Sequence, residues 1–255
     1  MKIEGSYHIG FDGGHGARYA LLPGDPGRVE KIAAYLDNAK PLAVSREYTT
    51  YIGELSGEKV LVMSTGMGGP STAIAVEELY RTGVDTFIRI GTCGGMQLDV
   101  QAGDLVIPNG SVRMEGTTRE YVPIEYPAVP DLAVTNALAR AASSLGKRYH
   151  VGVVQSKDSF YGQHDPSRMP VGYELENKWR AWIKAGCLAS EMEGAALFIV
   201  SACLRCRAGA IFHTVWNQER VNAGLDSAKV TDTSDAIRTA VEALKLLINE
   251  DRMSK

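Results

Sequence analysis

The sequence predicts an α/β fold in three layers: a central twisted sheet, mixed but mostly parallel, with helices on both faces. Short strand-like runs alternate with helix-like runs along the chain, the order that builds a parallel sheet covered on both sides. Helix-like runs end in glycine just before the next strand, at Gly83, Gly146 and Gly186, and glycine tolerates the left-handed conformation that closes a helix. No internal repeat, low-complexity tract or Pro-, Gly- or Ser-rich linker divides the chain, so residues 1–255 are expected to form a single domain.

In order, Tyr19 to Leu22 reads as the first strand, stopped by Pro23-Gly24-Asp25-Pro26. Pro26 suits a first helical position and opens a helix through Arg28 to Ala33. Thr49 to Leu55 and Lys59 to Met63, joined through Ser56-Gly57, read as a hairpin. Ser71 to Arg81 reads as a helix, with Ile74, Val76 and Leu79 among helix formers, and the strand Thr86 to Ile90 follows. Asp131 to Leu145 and Lys178 to Ala185 are the next helices, with the strand His150 to Val154 after the first of them. A buried helix runs from Glu193 onward, Ala208 to Phe212 is the last strand, and a helix from Asp235 to Asn249 is expected on the outside.

Composition narrows the function classes. The 255 residues are 45% hydrophobic and 22% charged, enough to bury a large core, and the formal net charge is −3, so there is no basic footprint for nucleic acid or an acidic membrane surface. No apolar run reaches the roughly 18 residues that a membrane span needs. The start, Met1 to Gly5, lacks the apolar block of a secretory signal. Four cysteines do not make a disulfide framework. A cytoplasmic location is therefore expected. Cys203 and Cys206 form a lone C-x-x-C without a second pair or histidines in register, so they are expected to be ordinary buried thiols and no metal site is assigned.

In a parallel α/β sheet, ligands gather at the carboxyl ends of the strands. Three such ends are glycine-rich here: residues 23–28, residues 64–71 and residues 89–95. Glycine lets a backbone approach a ligand with peptide N–H groups free to meet an anion, and a helix opening at Pro26 adds partial positive charge. Arginine suits phosphate because its fork donates two parallel hydrogen bonds, which makes Arg28, Arg46 and Arg89 candidates to hold a phosphate dianion. A glycine turn alone is more often just a turn. Arg89 weighs more because it lies inside an apolar strand, where an arginine needs a partner.

A second signal is Ser190-Glu191-Met192-Glu193-Gly194 beside a run of small buried residues. Carboxylates there are costly unless they bind something. At an extended strand end Glu191 and Glu193 share one face; in a regular helix they point roughly 200° apart. The plainer alternative is two acidic residues in a first helical turn, favoured by the helix dipole.

Together these places resemble the nucleoside phosphorylase family, whose members include uridine phosphorylases, hexameric purine nucleoside phosphorylases and methylthioadenosine nucleosidases. The likeness runs from about Tyr7 to about Leu247. It is carried by Pro23-Gly24-Asp25-Pro26 with Arg28, Ser45-Arg46-Glu47-Tyr48-Thr49-Thr50, residues 64–79, Arg89-Ile90-Gly91-Thr92 and Glu191-Met192-Glu193. The resemblance implies that Gly24, Arg28, Arg89 and Thr92 hold phosphate, joined by Arg46 from a neighbouring subunit. It implies that Glu193, Met192 and Thr92 hold the ribose with His8 of that neighbour, and that Gly94, Phe160, Gln163 and Glu191 surround the base. Glu193, Arg89 and Gln163 are the expected catalytic residues. The partners implied are a small nucleoside and inorganic phosphate as co-substrate, with no other cofactor, in a homo-oligomer (a dimer or a trimer of dimers) whose sites are shared across the dimer interface. A monovalent cation near Glu47 and Ser71, a feature of some members, is not assigned.

Within the family, purine phosphorylases carry a Ser-Asp pair after the late strand, whereas this chain has Thr214-Val215-Trp216-Asn217. Asp158-Ser159-Phe160-Tyr161-Gly162-Gln163 looks instead like the uridine-cleaving members, where a glutamine amide reads the uracil edge with one donor and one acceptor. Two departures stand out. The arginine that usually follows the glutamine by two positions is displaced, leaving His164 and Arg168 as candidate replacements, and the usual Asn-Arg appears as Asn217-Gln218-Glu219-Arg220. The implied activity is reversible phosphorolysis of uridine, with deoxyuridine and thymidine as further candidate substrates. Purine phosphorolysis, hydrolytic nucleosidase action and a non-catalytic nucleoside binder are the alternatives. A dinucleotide-binding oxidoreductase using Gly66-Met67-Gly68-Gly69-Pro70-Ser71 lacks the last glycine of its motif.

Overall fold

The computed structural model describes residues 5–254; the expectation about a leader rests largely on Met1 to Glu4, outside the described residues. The first half of the sheet is built from β1 (Tyr19–Pro23), β2 (Asp37–Ser45), β3 (Tyr48–Leu55), β4 (Glu58–Met63) and β5 (Thr86–Gly95). The second half is β6 (Leu105–Met114), β7 (Tyr149–Lys157), β8 (Ala189–Glu191) and β9 (Arg207–Asn217). The helices are α1 (Val29–Ala33), α2 (Gly69–Arg81), α3 (Leu132–Ser144), α4 (Phe160–His164), α5 (Gly172–Lys184), α6 (Gly194–Cys203), α7 (Gln218–Asn222) and α8 (Ser234–Met253). No helix among the described residues is long and apolar enough to cross a membrane.

The strands form one sheet in the order β2-β3-β4-β1-β5-β8-β7-β6-β9. β1 runs parallel to β4 and β5, β5 parallel to β9, and β7 parallel to β6 and β8, while the remaining pairings are antiparallel. Because β9 pairs with both β5 and β6, the strands β5, β8, β7, β6 and β9 close into a ring. The mixed, mostly parallel sheet was expected; its closure was not.

Alternation along the strands divides the core into two apolar layers. Phe87 faces the layer that α2 and α6 supply, with Leu79 and Phe198, and Ile88 faces the layer of α1, α3 and α8, with Ile32, Leu138 and Leu244. The three layers follow from this arrangement. The β3–β4 hairpin turns at Ser56 and Gly57, both with positive φ (50° and 75°), the conformation that a tight two-residue hairpin requires.

Several elements differ from expectation. β2 is an edge strand carrying Pro41 and mostly exposed side chains, so it shows no alternation. β6 is interrupted in its register near Pro108 and Gly110, which hides it in the sequence. β5 continues past Ile90 to Gly95 because β9 pairs with it throughout. α5 begins at Gly172, not Lys178, and α4 and α7 are additional short helices. The Cys203–Cys206 pair is not buried as expected: Cys203 is exposed and Cys206 half-buried, because α6 ends there and the chain turns through Arg205 at φ 57°.

Candidate active site

Within β5, Arg89 is 4% exposed and its guanidinium reaches two protein partners: Nη2 donates to Glu193 Oε2 at 2.6 Å, and Nη1 to Thr65 Oγ1 at 3.0 Å. The other Glu193 oxygen accepts the Gly68 N–H at 2.7 Å, at the N-terminus of α2. The partner that the sequence demanded for a buried arginine is therefore the carboxylate expected to hold the sugar. Arg89 Nε is buried without a partner among the described residues. So is Nη1 of Arg28, which lies in the short 3-10 turn Pro26–Arg28 after β1. Among the described residues, Arg28 has one carboxylate contact and it is long, Nε to Asp25 Oδ2 at 3.8 Å. Burial, and then the charge of Arg89, push the Arg28 guanidinium below its ordinary range.

Gly24 lies against this corner: a Cβ there would come within 3.3 Å of Arg89 Nη2 and 3.2 Å of the Gly66 carbonyl. Two guanidinium groups with unsatisfied N–H donors beside a side-chain-free backbone make a corner rich in donors and short of acceptors. Buried donors of this kind cost free energy until an acceptor arrives, and a phosphate dianion supplies several acceptor oxygens at once. Thr92, half-buried three residues beyond Arg89, pairs across to His213 of β9. Arg46 is exposed on the β2–β3 turn with φ 54°.

Glu191 ends β8 and Glu193 is the residue just before α6, so the pair lies at an extended strand end and not in a first helical turn. Glu191 Oε2 accepts the N–H groups of Glu193 and Gly194 at 2.8 Å each, capping α6, and its Oε1 receives the Ser156 hydroxyl. Gly194 permits this close approach, since a Cβ there would meet Glu191 Oε1 at 2.9 Å. Burial, and then Glu193, raise the Glu191 carboxyl above its usual range. These three bonds make Glu191 a brace for the start of α6, where Glu193 stands. Met192 sits half-buried between the two carboxylates.

The base-side candidates converge around β7, β8 and α4. Ser190, which pairs with Gly94 in the β5–β8 ladder, has its hydroxyl 2.6 Å from both Gln163 Oε1 and Gln155 Oε1. A hydroxyl has one proton, so it serves one amide at a time and leaves the other able to turn an N–H outward. Lys157 Nζ donates to Ser190 Oγ at 2.8 Å and lies 6.0 Å from the Phe160 ring centre. This lysine is only 5% exposed, and burial pushes its ammonium down to about 8. Sequence reasoning missed it, because a lysine closing a strand reads as a solvated end; the signal available was its place just before the Asp158-Ser159-Phe160 segment. A cavity of about 400 Å³ opens beside Lys157 and Gln163, walled further by Gly162, Trp179 and Gln218. Arg28, Arg89 and Glu193 are not among the residues that line it.

Of the replacements considered for the displaced arginines, His164 is half-buried, tilted against Phe160 with ring centres 4.4 Å apart, and 6.3 Å from Trp216. Burial, and then Lys157, lower its pKa. Arg168 does not turn inward. It is exposed, paired to Asp165 at 3.1 Å and stacked on Tyr161, because the 3-10 turn Pro166–Arg168 faces solvent. Arg220 is likewise held by the carbonyls of Leu98 and Asp226. Asn217 spends its side chain capping α7 and binding the carbonyls of Gln97 and Val100. The buried Lys157 and the exposed Arg180 are the described cations that line the cavity beside Gln163.

His8 lies away from these groups within its own chain, with its ring Nδ1 bound to Glu78 of α2 at 2.6 Å.

Comparison with known proteins fits this geometry. A family model described as the phosphorylase superfamily matches residues 18–250. The chain is 54% identical over 245 residues to uridine phosphorylase of Treponema pallidum (strain Nichols), covering 96% of this chain and 95% of that protein. It is 42% identical over 256 residues to uridine phosphorylase of Escherichia coli (strain K12), covering 97% and 100%. It is 41% identical over 204 residues to guanosine phosphorylase of Halorubrum lacusprofundi, covering 80% of each.

Proposed function

The chain belongs to the phosphorylase superfamily, and from that premise we propose that it catalyses the reversible phosphorolysis of uridine to uracil and ribose 1-phosphate. The observation that carries this reading is the corner formed by Arg28 and Arg89: two unsatisfied guanidinium donors beside Gly24 and next to the Glu193 carboxylate. Inorganic phosphate is the co-substrate, and no other cofactor takes part. Residues 1–255 act as one domain, in the cytoplasm, in a homo-oligomer built from dimers in which Arg46 and His8 serve a neighbour's site.

Breaking the glycosidic C–N bond leaves an oxocarbenium-like sugar. Phosphate held by Arg28, Arg89, Thr92 and the Gly24 backbone stands below the sugar carbon and stabilises that cation by position and charge. Glu193 accepts hydrogen bonds from the ribose hydroxyls, with Met192 packing beside it, while Arg89 and the Gly68 N–H fix its orientation. On the other side of the bond, negative charge builds on the departing uracil. Gln163 reads the uracil edge, Phe160 offers a ring face, Gly94 leaves backbone space, and the Lys157 ammonium stabilises the leaving base.

Uridine is favoured over a purine nucleoside by the base-side groups, an amide and an ammonium with no carboxylate at the end of β9. The Halorubrum relative makes guanosine the control to run beside uridine, thymidine and inosine. Cleavage of uridine in phosphate with little cleavage of guanosine is the expected result; a preference for guanosine overturns the substrate assignment.

A further inference from the structure

We infer that Glu78 is a positioning residue that sets the place and tautomer of His8, so that the imidazole Nε2 faces the sugar site of a neighbouring copy. The inference rests on the phosphorolysis reading, which places His8 at a neighbour's ribose, and adds the group that prepares it. Glu78 lies on the inner side of α2, 4% exposed. Its Oε2 accepts the backbone N–H groups of His8 and Ile9 at 2.8 and 3.0 Å, and its Oε1 meets His8 Nδ1 at 2.6 Å. Anchoring the N-terminal segment needs only the first oxygen; the second is spent on the ring.

Burial works against an ionised Glu78, yet the hydrogen bonds from His8 and Ile9 hold its carboxyl below the usual range. It is thus a carboxylate at neutral pH and can only accept, so His8 Nδ1 carries the hydrogen. In the neutral ring Nε2 then holds the lone pair. Among the described residues nothing bonds to Nε2, and the side chain keeps 29% of its surface exposed, with Tyr7 edge-on at 4.8 Å. The same helix carries the Gly68 N–H that orients Glu193. A single rigid element therefore sets the sugar carboxylate of one site and the histidine offered to the next.

Glu78→Gln separates anchoring from tautomer control. The amide oxygen replaces Oε2 as acceptor for the two backbone N–H groups, and the amide nitrogen then faces Nδ1 as a donor, forcing the hydrogen to Nε2. Nitrogen-15 NMR of the His8 ring in the unaltered enzyme is expected to show a protonated Nδ1, a measurement that needs no variant to fold. In Glu78→Gln the hydrogen should move to Nε2, with kcat/KM for uridine falling on the order of tenfold, the low end for removing a group that orients a working histidine. The phosphate KM should stay unchanged, and Glu78→Gln should add nothing to His8→Ala. A hydrogen on Nε2 in the unaltered enzyme overturns the inference. So does Glu78→Gln with normal kinetics while His8→Ala is impaired. Normal kinetics in His8→Ala removes the ribose assignment of His8 itself, and the inference with it.

Discussion

Arg28→Met should make the phosphate-free protein more heat-stable while weakening its use of phosphate. The Arg28 side chain is 15% exposed, its Nη1 is buried without a partner, and Asp25 stands 3.8 Å from its Nε. Burial and the neighbouring Arg89 depress its pKa, so its charge is carried at a cost unless an anion is bound. Methionine keeps the apolar stem and removes the charge and the orphaned donor. An unsatisfied buried donor costs about 1–3 kcal/mol; with some stem packing lost, a gain of about 1 kcal/mol and a Tm rise of about 2–4 °C are expected for a chain of this size. Against phosphate, a charge-assisted contact contributes about 1.5–3 kcal/mol, so the phosphate KM should rise about 10- to 100-fold. The assay is thermal unfolding with and without saturating phosphate, paired with initial rates over a phosphate series. A Tm below that of the unaltered protein in phosphate-free buffer refutes the reasoning. So does an undiminished stabilisation of the variant by phosphate.

Other perturbations address the remaining groups. Glu193→Gln must turn its NH₂ towards either Arg89 Nη2 or the Gly68 N–H, both donors, so kcat should fall by about 10²- to 10³-fold with little change in fold by circular dichroism; near-normal turnover moves the ribose site elsewhere. The Lys157 ammonium, with its pKa brought down to about 8, is present below that pH and lost above it. Turnover should therefore decline as pH rises through about 8, and Lys157→Arg should move that limb upward because a guanidinium stays charged; an identical limb in the variant assigns it to another group. Gly24→Ala places a methyl within 3.3 Å of Arg89 Nη2, and the phosphate KM should rise while the uridine KM holds; equal rises in both would mean a general distortion.

The elements that stand out by local pattern were legible from sequence: the β3–β4 hairpin, the helix α3, and the strands β1 and β5 that bring Gly24 and Arg89 together. Arg89 advertised a partner because an arginine inside an apolar strand needs one. That the partner is Glu193, 104 residues away, could be found only in three dimensions. β2 and β6 were hidden because an exposed edge strand and a proline-interrupted strand lose the alternation that marks strands. Lys157 was overlooked for a related reason: its burial comes from β8 and α4 folding over the end of β7, a contact that local pattern does not encode. The carboxylates Glu191 and Glu193 looked equivalent in sequence, and only the start of α6 separates the one that braces the helix from the one that pairs with Arg89.

In the proposed reaction the Arg28–Arg89 corner holds the anion that attacks the sugar. Incubating the purified protein with uridine in buffer freed of phosphate, then adding phosphate, and following the sugar product by phosphorus-31 NMR tests it most directly. Negligible cleavage is expected until phosphate arrives, and then one ribose 1-phosphate for each uracil released. Uracil release at the same rate without phosphate, with free ribose as the product, would contradict it.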